Sequence, residues 1–397
     1  MTQTDLLRSA AVQPAPSGGY RFPFKNPHVA LSELKHVAEA LKNGHRSSGG
    51  RFTRLCEDWL LHNIGGRSVL LTQSCTAALE VAQALAEVGP GDEVIMPSFS
   101  FSSVANAVAV RGGVPVFVDI RADTLNLDET LVESAVTRKT KAIVCVHYAG
   151  VVAEMDALHE IARHHDLLLI EDAAHAFQST YKGRPAGSIG HLGVFSFHDT
   201  KDINCGEGGA IVVNDPALVV RARIIVEKGT NRQEFLQGRA SRYTWVDIGH
   251  SAQPSEITAS VLWAQLQFAS GICGARVDAW HAYHDALERA EHEGLLRRPV
   301  VPTHCGINGN CYYIVLPARI RRGTVIDALK QRGIETAFHF VPLHSSPAGE
   351  RCGRSHGPFV NTDVAGDHLL RLPLWPGIAP HCAHIARELE RVLKAQA

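Results

Sequence analysis

The stretch LLLIED at residues 167–172 places four consecutive apolar residues directly before two carboxylates. A short apolar run of this kind predicts a fully buried strand, and Asp172 then lies at its carboxyl end. A helical pattern over 155–165 precedes this strand. A helix followed by a buried strand is typical of the repeating unit of a parallel sheet.

The same alternation extends outward from this stretch in both directions. Because such βαβ units build parallel sheets, they predict an α/β fold with a mainly parallel, buried sheet. Ligands of these sheets bind beyond the carboxyl ends of the strands, so polar residues at those positions are the candidates for chemistry. The predicted strands are 69–71, 94–96, 114–119, 142–146 and 210–213, and the predicted helices are 77–88, 103–111, 128–136 and 216–227.

The pattern changes after about residue 270. We therefore predict a large sheet domain over 27–270 and a smaller α+β domain over 271–397, preceded by a loosely held arm over 1–26. In the smaller domain the predicted helices are 275–293, 324–332 and 383–393, and the predicted strands are 312–316 and 336–341.

Composition excludes several classes of protein. The 397 residues include 39 Lys and Arg and 40 Asp and Glu, so the formal charge is -1. Without a basic field, no nucleic acid or anionic membrane partner is expected. There is no apolar run of ~18 residues for a membrane span and no signal-peptide pattern. The nine scattered cysteines favour reduced thiols, so we expect a cytoplasmic protein.

No metal is expected either. The nearest group of possible ligands, His381, Cys382 and His384, is interpreted as ordinary core or surface. Two common nucleotide-binding turns are also absent from the sequence, since neither GxGxxG between a strand and a helix nor GxxxxGK[ST] occurs. The glycine-rich GEGG at 206–209 precedes a strand and by itself indicates a tight loop.

Three other features follow predicted strands. The turn TQSCT at 72–76 opens a helix, where free N–H groups and hydroxyls can bind a phosphate, although plain capping by Ser74 or Thr76 gives the same pattern. Asp172, buried at a strand end, needs a partner such as a protonated ring nitrogen, a salt bridge or a helix cap. Lys201, beyond FSFH at 195–198, either is a solvated loop lysine or forms a Schiff base with a cofactor aldehyde.

The order of these features is more specific than any one of them. A phosphate turn comes first, then an aspartate at a strand end, then a lysine about thirty residues later, with Ser196 five residues before it. Pyridoxal phosphate needs these parts: a cup for its phosphate, a partner for its pyridinium nitrogen and a lysine for its aldehyde. The joint pattern therefore predicts a pyridoxal-phosphate site.

From about Phe24 to the C-terminus the chain resembles the DegT/DnrJ/StrS-type sugar-nucleotide aminotransferases, which have the aspartate-aminotransferase fold of type I. The motifs that carry this resemblance are PGDEVIMPS at 90–98, EDAAH at 171–175, FSFH at 195–198 and GEGG at 206–209. Further segments resemble the WecE-like subgroup of dTDP-4-amino-4,6-dideoxygalactose transaminases. They are KGTNR at 228–232, YTW at 243–245, VPLH at 341–344, PAGE at 347–350 and RLPL at 371–374.

The resemblance implies a role for each matching residue. Lys201 would hold the cofactor as a Schiff base and then move the proton, and Asp172 would pair with the pyridinium nitrogen. His175, often Gln in relatives, would lie near the ring hydroxyl, and Phe101 would stack on the ring. Around the phosphate the resemblance places Cys75, Thr76, Ser196 and, from a partner subunit, Ser251. Substrate contacts are expected from Lys228, Arg232 and His344.

The resemblance also implies a function. An amino group from L-glutamate would be moved to a nucleotide-linked keto-deoxysugar, with dTDP-4-keto-6-deoxyhexose as the leading acceptor, for a cell-surface polysaccharide or a glycoside. The enzyme would be a homodimer with shared active sites. A 3-keto acceptor, a UDP- or GDP-linked sugar and a non-catalytic regulator are the alternatives.

The sequence departs from the family pattern at two positions. Asp202 stands where relatives usually have Asn, and Ser251 stands where many relatives have Asn.

Overall fold

An eight-stranded sheet forms the centre of the computed structural model, which describes residues 19–396. Its strands are β1 (Ser68–Thr72), β2 (Glu93–Pro97), β3 (Val114–Val118), β4 (Thr140–Val146), β5 (Leu168–Asp172), β8 (Leu192–Ser196), β9 (Gly209–Val213) and β12 (Arg354–Ser355). From one edge to the other these strands follow the order β1-β9-β8-β5-β4-β2-β3-β12. The remaining strands are β6 (Thr180–Tyr181), β7 (Arg184–Pro185), β10 (Cys305–Gly306), β11 (Tyr312–Val315) and β13 (Leu369–Leu372), of which the first three form one small sheet and the last two another.

The predicted parallel sheet is confirmed, with one exception. All neighbours from β8 to β12 run parallel, whereas β9 runs antiparallel to both β8 and β1. Strand β1 therefore points in the same direction as β8 and β5. Because of this, the carboxyl ends of β1, β5 and β8 meet at one edge of the sheet, which is where ligands of α/β sheets bind.

Successive side chains of the strands enter two different cores. Leu71 and Leu169 pack on one face with Leu60, while Leu70 and Ile170 pack on the other with Leu79. This alternation follows from the two-residue period of a strand, and burial on both faces explains why the strands are continuous apolar runs. The domain is thus three-layered, with helices on either side of the sheet.

Fifteen α-helices occur among residues 19–396. No helix in this part of the chain has the length and apolarity needed to cross a bilayer. The first eight are α1 (Ser32–Lys42), α2 (Arg51–Ile64), α3 (Cys75–Leu85), α4 (Ser102–Ala109), α5 (Glu129–Ala135), α6 (Met155–His164), α7 (Val219–Val226) and α8 (Arg232–Leu236). The others are α9 (Glu256–Leu266), α10 (Ala269–Ala286), α11 (Glu288–His292), α12 (Arg322–Lys330), α13 (Pro347–Cys352), α14 (Val360–His368) and α15 (Ala379–Lys394).

A separate apolar core lies in the C-terminal third. It joins α10, α12 and α15 to the paired strands β11 and β13, through residues such as Trp280, Ile314 and Leu389. The predicted division between 270 and 271 falls inside α10 and stays a prediction.

The end of the predicted arm packs against this C-terminal core. Residues 1–18 lie outside the described part of the chain. Phe22 is buried, its N–H donates to the carbonyl of Gly333 at 2.9 Å, and its carbonyl accepts from Glu335 at 3.0 Å. Trp375 donates its indole N–H to the carbonyl of Pro23 at 3.0 Å. Residues 22–24 are therefore anchored rather than loose.

The strand predicted over 336–341 is wrong. The segment makes a single bridge, from Ala337 to Arg371, and no continuous ladder. Beyond this bridge His339 and Phe340 turn toward the carboxyl edge of the large sheet, where His339 bonds Tyr148. The apolar residues of this segment alternate because they pack around that contact. A two-residue period does not distinguish such packing from pairing with a neighbouring strand.

Glu171 stabilises the strand end that carries Asp172. Its side chain is fully buried and accepts the N–H groups of Gly187, Ile189 and Gly190 at 2.8, 2.6 and 2.6 Å, respectively, with His147 Nε2 at 2.9 Å. One carboxylate thus satisfies a whole turn of buried donors between β7 and β8. Because it does so, it also fixes the position of β8 beside β5.

Glu171→Ala is expected to lower the free energy of unfolding by about 3 kcal/mol or more, because several buried donors lose their acceptor. Chemical denaturation of the cofactor-free protein measures the change. The matched control is Glu160→Ala on α6, whose carboxylate is exposed and whose loss should leave the stability almost unchanged, as surface substitutions usually do. If both substitutions changed the free energy of unfolding equally, the buried hydrogen bonds of Glu171 would not stabilise the fold more than a surface ion pair does.

Candidate active site

The turn from β1 to α3 presents unpaired N–H groups. Ser74 is the N-cap, and its Oγ accepts from the N–H of Ala77 at 3.1 Å. Ser74 therefore caps the helix, as the plain capping interpretation predicts, but this bond satisfies only one backbone donor. The N–H groups of Cys75 and Thr76 open the helix, where no intrahelical acceptor exists. The turn can cap its helix and bind an anion at the same time.

Glycine at position 209 lets β9 approach this turn. A Cβ atom at Gly209 would lie 2.5 Å from the backbone carbon of Ser74 and 2.6 Å from the nitrogen of Cys75. No other residue fits there without displacing the turn. The GEGG segment is thus more than a tight loop, because its last glycine determines how closely β9 and the helix N-terminus pack.

Asp172 ends β5 at the edge that faces the turn. It is buried, and its Oδ1 accepts from the N–H of Ala174 at 3.0 Å. Burial raises the pKa of this carboxyl above its ordinary value, although the bond from Ala174 and the charge of Lys201 oppose the shift. A buried carboxylate with so little compensation is costly unless a cationic partner binds beside it.

Lys201 lies in the loop between β8 and β9. Its N–H donates to the carbonyl of His198 at 2.9 Å, which closes a tight turn. Burial lowers the pKa of its ammonium below the ordinary value, and the neighbouring Cys75 and Asp172 act in the opposite direction. A lowered pKa makes the neutral, nucleophilic amine more available.

These residues line one cavity of about 520 Å³. It collects side chains from the ends of β1, β5 and β8 and from the loops that follow them. Of the eight residues that we predicted around the cofactor, seven are among its walls: Cys75, Thr76, Phe101, Asp172, His175, Ser196 and Lys201. The ring of Phe101 is 62% exposed at the mouth, so its face is open to a ligand.

His175, a wall residue of this cavity, carries a buried nitrogen without a partner in the described chain. The residue is only 8% exposed, and its Nδ1 has no hydrogen-bond partner among residues 19–396. Its ring stacks on that of His339, with 5.3 Å between centroids, and His339 Nδ1 bonds the Tyr148 hydroxyl at 2.7 Å. Burial holds the pKa of both imidazoles well below the ordinary value. His175 is therefore neutral near pH 7 and ready to hydrogen-bond a ligand.

The sequence profile of the DegT/DnrJ/EryC1/StrS aminotransferase family matches residues 28–390. The chain belongs to this family. It is a pyridoxal-phosphate-dependent aminotransferase, and the predicted cofactor and fold class are confirmed.

Named relatives agree with this membership. The chain is 32% identical to the spore coat polysaccharide biosynthesis protein SpsC of Bacillus subtilis over 365 residues. This aligned region covers 90% of this chain and 93% of SpsC. The aminotransferase TlmJ of Streptoalloteichus hindustanus superposes with a TM-score of 0.86 at 29% identity, over 95% of this chain and 100% of that one. The putative sugar aminotransferase Spr1654 of Streptococcus pneumoniae, in its pyridoxamine-phosphate form, gives a TM-score of 0.87 at 25% identity, with the same coverage.

The cavity of this aminotransferase fits its cofactor in four respects. The anion site at the start of α3 would bind the phosphate, and the buried carboxylate at the end of β5 would pair with the pyridinium nitrogen. The amine of lowered pKa would bind the aldehyde, and the unpaired Nδ1 of His175 would hydrogen-bond the ring hydroxyl. The assignment of each residue to its group stays a prediction.

Four predicted residues do not line this cavity. Lys228, Arg232 and Ser251 are exposed, and Ser251 forms a bridge with Glu227. His344 bonds Ser98 Oγ through Nδ1 at 2.8 Å and stacks on Phe359 with 3.8 Å between centroids. Their roles in substrate and cofactor binding therefore rest on the family resemblance.

Asp202, which stands where relatives usually have Asn, is explained by the side chains around it. Its carboxylate is buried and pairs with Arg276 Nε at 2.9 Å, and Asn308 Nδ2 donates to it at 3.0 Å. The negative charge next to Lys201 is thus neutralised by a partner 74 positions along the chain. Sequence reasoning missed this pair, because no local pattern connects a loop residue with the middle of α10.

The His381, Cys382 and His384 group packs as ordinary core and surface residues do. Cys382 is buried in the C-terminal core, and both histidine rings pack on Phe22 at 5.2 and 5.7 Å. Elsewhere in the described chain, Glu133, His164 and His165 bring possible ligand atoms within 4.8 Å of one another on the surface. Exposed groups of this kind are common without an ion, so the cluster carries no assignment.

Proposed function

We propose that this enzyme transfers an amino group from L-glutamate to a nucleotide-linked keto-deoxysugar. The preferred acceptor is a dTDP-4-keto-6-deoxyhexose and the product a 4-amino-4,6-dideoxyhexose for a cell-surface polysaccharide or a glycoside. The observation that carries the proposal is the meeting of Lys201, Asp172 and the α3 N-terminus in one cavity. The sugar is supported by the names of SpsC and Spr1654 and by segments such as RLPL at 371–374.

Each residue has a proposed role in this reaction. The cofactor supplies an aldehyde that accepts the amino group and a ring that withdraws electrons from the reacting carbon. Lys201 Nζ binds the aldehyde and, once released, moves a proton as general acid and base. Asp172 keeps the ring nitrogen protonated, and neutral His175 hydrogen-bonds the ring hydroxyl. Phe101 covers one ring face, and Cys75, Thr76 and Ser196 orient the phosphate.

A homodimer with shared active sites completes the proposal. The segment 228–250 carries several exposed apolar side chains, among them Leu236, Trp245 and Ile248, and exposed apolar surface of this kind marks protein contacts. Ser251 follows this segment and is itself exposed, so a second copy that packs here would bring the hydroxyl toward its neighbour's phosphate. Lys228 and Arg232 would supply positive charge to the nucleotide, and His344 would contact the sugar.

The first half of the reaction can be tested alone. Protein loaded with pyridoxal phosphate should lose its visible absorbance band on addition of L-glutamate and gain the shorter-wavelength band of the pyridoxamine form. An equimolar amount of 2-oxoglutarate should appear. D-Glutamate is the matched control, because it has the same charges but directs its α-hydrogen differently. Failure of L-glutamate and of every other L-amino acid would contradict the proposal.

A panel of nucleotide sugars tests the second half. We expect the pyridoxamine form to regain its visible band with a dTDP-linked 4-keto-6-deoxyhexose, in ping-pong kinetics with glutamate. If only 3-keto sugars or only UDP- or GDP-linked sugars react, the acceptor assignment is wrong while the aminotransferase assignment stands. A non-catalytic regulator would bind the sugars without change in absorbance.

A further inference from the structure

Asp202, directly after Lys201, is the centre of a buried polar network. The residue is 6% exposed, and both of its carboxylate oxygens accept hydrogen bonds. Its Oδ1 pairs with Arg276 Nε at 2.9 Å, and its Oδ2 accepts from Asn308 Nδ2 at 3.0 Å. Asn310 Nδ2 lies 3.3 Å from both oxygens. The ion pair balances the charge of the carboxylate, but the network extends beyond that pair.

Asn308 carries this network to a second wall of the cofactor cavity. The same Nδ2 group that bonds Asp202 also donates to the backbone carbonyl of His175 at 3.0 Å. Asn308 is 1% exposed, and its Oδ1 accepts the N–H of Asn310 at 3.0 Å. One amide group therefore links the residue after Lys201 to the backbone of His175.

The backbone around Asn308 holds this amide in place. Gly150 has a φ of 86°, and a Cβ atom there would overlap Asn308 Oδ1. Arg276, on α10, donates from Nε to the carbonyl of Gly309 at 3.1 Å and from Nη2 to the carbonyl of Asn310 at 2.5 Å. Because the chain that follows Asn308 is fixed to α10 in this way, the amide has little freedom to move.

Every side-chain partner of Asp202 in the described chain is a donor. The guanidinium of Arg276 has no acceptor atom. The orientation of the Asn308 amide is settled by its other contacts, because its Nδ2 faces a carbonyl and its Oδ1 faces an N–H. A carboxylate accepts on both oxygens, whereas an amide at position 202 would turn its NH₂ group toward one of these donors. The network therefore requires aspartate here.

We propose that Asp202 is a positioning residue that fixes the spacing between Lys201 and His175. The inference rests on the proposed function, which assigns Lys201 to the aldehyde of pyridoxal phosphate and His175 to its ring hydroxyl. The aldehyde and the hydroxyl are neighbouring substituents of one ring. The two side chains must therefore be held at a matching distance, which the bridge from Asp202 through Asn308 provides.

Strand pairing alone does not set this spacing. The ladder between β5 and β8 ends at Asp172 on the first of these strands. Lys201 and His175 both lie beyond the ladder, in the loops that follow the two strands. The bridge through Asn308 connects these loops where the ladder no longer does.

Two substitutions test the bridge from its two ends. Asp202→Asn keeps the shape of the side chain but lacks one acceptor, and Asn308→Ala removes the bridge while sparing the ion pair. In each variant we expect the dissociation constant of pyridoxal phosphate to rise about tenfold or more. The visible circular dichroism per bound cofactor should fall, because the ring is held less firmly. The saturated rate with L-glutamate should fall about 10–100-fold, whereas its half-saturating concentration should change less than about threefold.

The matched control is Glu390→Gln on α15. Glu390 is 6% exposed and pairs with Arg289 at 2.5 Å, so this variant also loses the acidic partner of an arginine, but in the C-terminal helix. It should match the wild type in cofactor affinity, visible circular dichroism and rate.

The double variant Asp202→Asn/Asn308→Ala distinguishes a bridge from two separate effects. If the residues act through one bridge, the double variant should lose no more than the more impaired single variant. If they act independently, the two fold-losses should multiply, which would overturn the inference. Far-ultraviolet circular dichroism confirms that the variants fold, and Asn308→Ala decides alone if Asp202→Asn does not fold.

Two further outcomes would contradict the proposed role of Asp202. One is cofactor affinity and visible circular dichroism in Asp202→Asn equal to those of the control. The other is a loss confined to the half-saturating concentration of L-glutamate. The cofactor measurements need no amino acid. A wild type that binds pyridoxal phosphate but responds to no amino acid would therefore refute the proposed function, while these measurements would still decide the inference.

Discussion

Lys201→Ala should lower the rate of amino transfer from L-glutamate by about 10²–10⁴-fold or more, because it removes the residue that we propose as both covalent anchor and general base. The surroundings of Lys201 support so large an effect. Burial lowers the pKa of its ammonium, so the neutral amine is more available than in a free lysine. Lys25 is the other lysine that lines this cavity, and it comes from a segment far from β8 in the sequence.

Lys201→Arg separates charge from proton transfer. Arginine keeps a positive charge near Asp172 and Cys75 but does not deprotonate, since its pKa exceeds about 12. We expect it to be as inactive as Lys201→Ala while retaining more of the bound cofactor, which its charge still attracts. Single-turnover absorbance with L-glutamate measures the rate, and dialysis measures retention.

The control for both variants is Lys182→Ala. Lys182 lies in the turn between β6 and β7, pairs with Asp156 at 2.6 Å and is exposed, so its loss should leave the rate unchanged. If Lys201→Ala retained more than about a tenth of the wild-type rate, a group other than Lys201 would move the proton.

The sheet edge and most of the cofactor site could be predicted from local patterns. Apolar runs gave the strands, and the residues directly after them, Cys75 and Asp172, meet because parallel strands end at one edge. Lys201 reaches the same place because it lies five positions after the end of β8, in the loop that leads to β9. No strand was predicted over 192–196, so this lysine was identified by its position in the sequence motif rather than by periodicity.

Residues positioned by long-range packing could not be predicted in this way. Asp202 pairs with Arg276, and Lys25 and Arg371 line one cavity, through contacts between distant segments that leave no local pattern. The ring of His344 is likewise held by the distant residues Ser98 and Phe359, and its contact with the substrate stays a prediction. The strand expected over 336–341 failed for the same reason, because tertiary contacts of His339 outweigh the local β preference of the segment.

Asp172→Asn tests whether the carboxylate acts by its charge. The amide has the same shape and keeps an oxygen to accept the N–H of Ala174, which now lies 3.0 Å from Oδ1, so the fold and cofactor binding should persist. Without the negative charge, the ring nitrogen would lose the partner that we propose keeps it protonated. We therefore expect the rate with L-glutamate to fall by about 10²–10³-fold, which is typical when one preorganised electrostatic contact is removed.

A modified cofactor distinguishes this loss of charge from a structural defect. Pyridoxal phosphate methylated at the ring nitrogen carries a permanent positive charge and needs no proton there, so it should restore part of the rate in Asp172→Asn. The control variant is Asp156→Asn, whose exposed carboxylate pairs with the exposed Lys182. If the methylated cofactor gave no recovery while the variant remained folded and loaded, Asp172 would be positioning the cofactor ring rather than holding its charge, because only the second role can be replaced by a fixed cation.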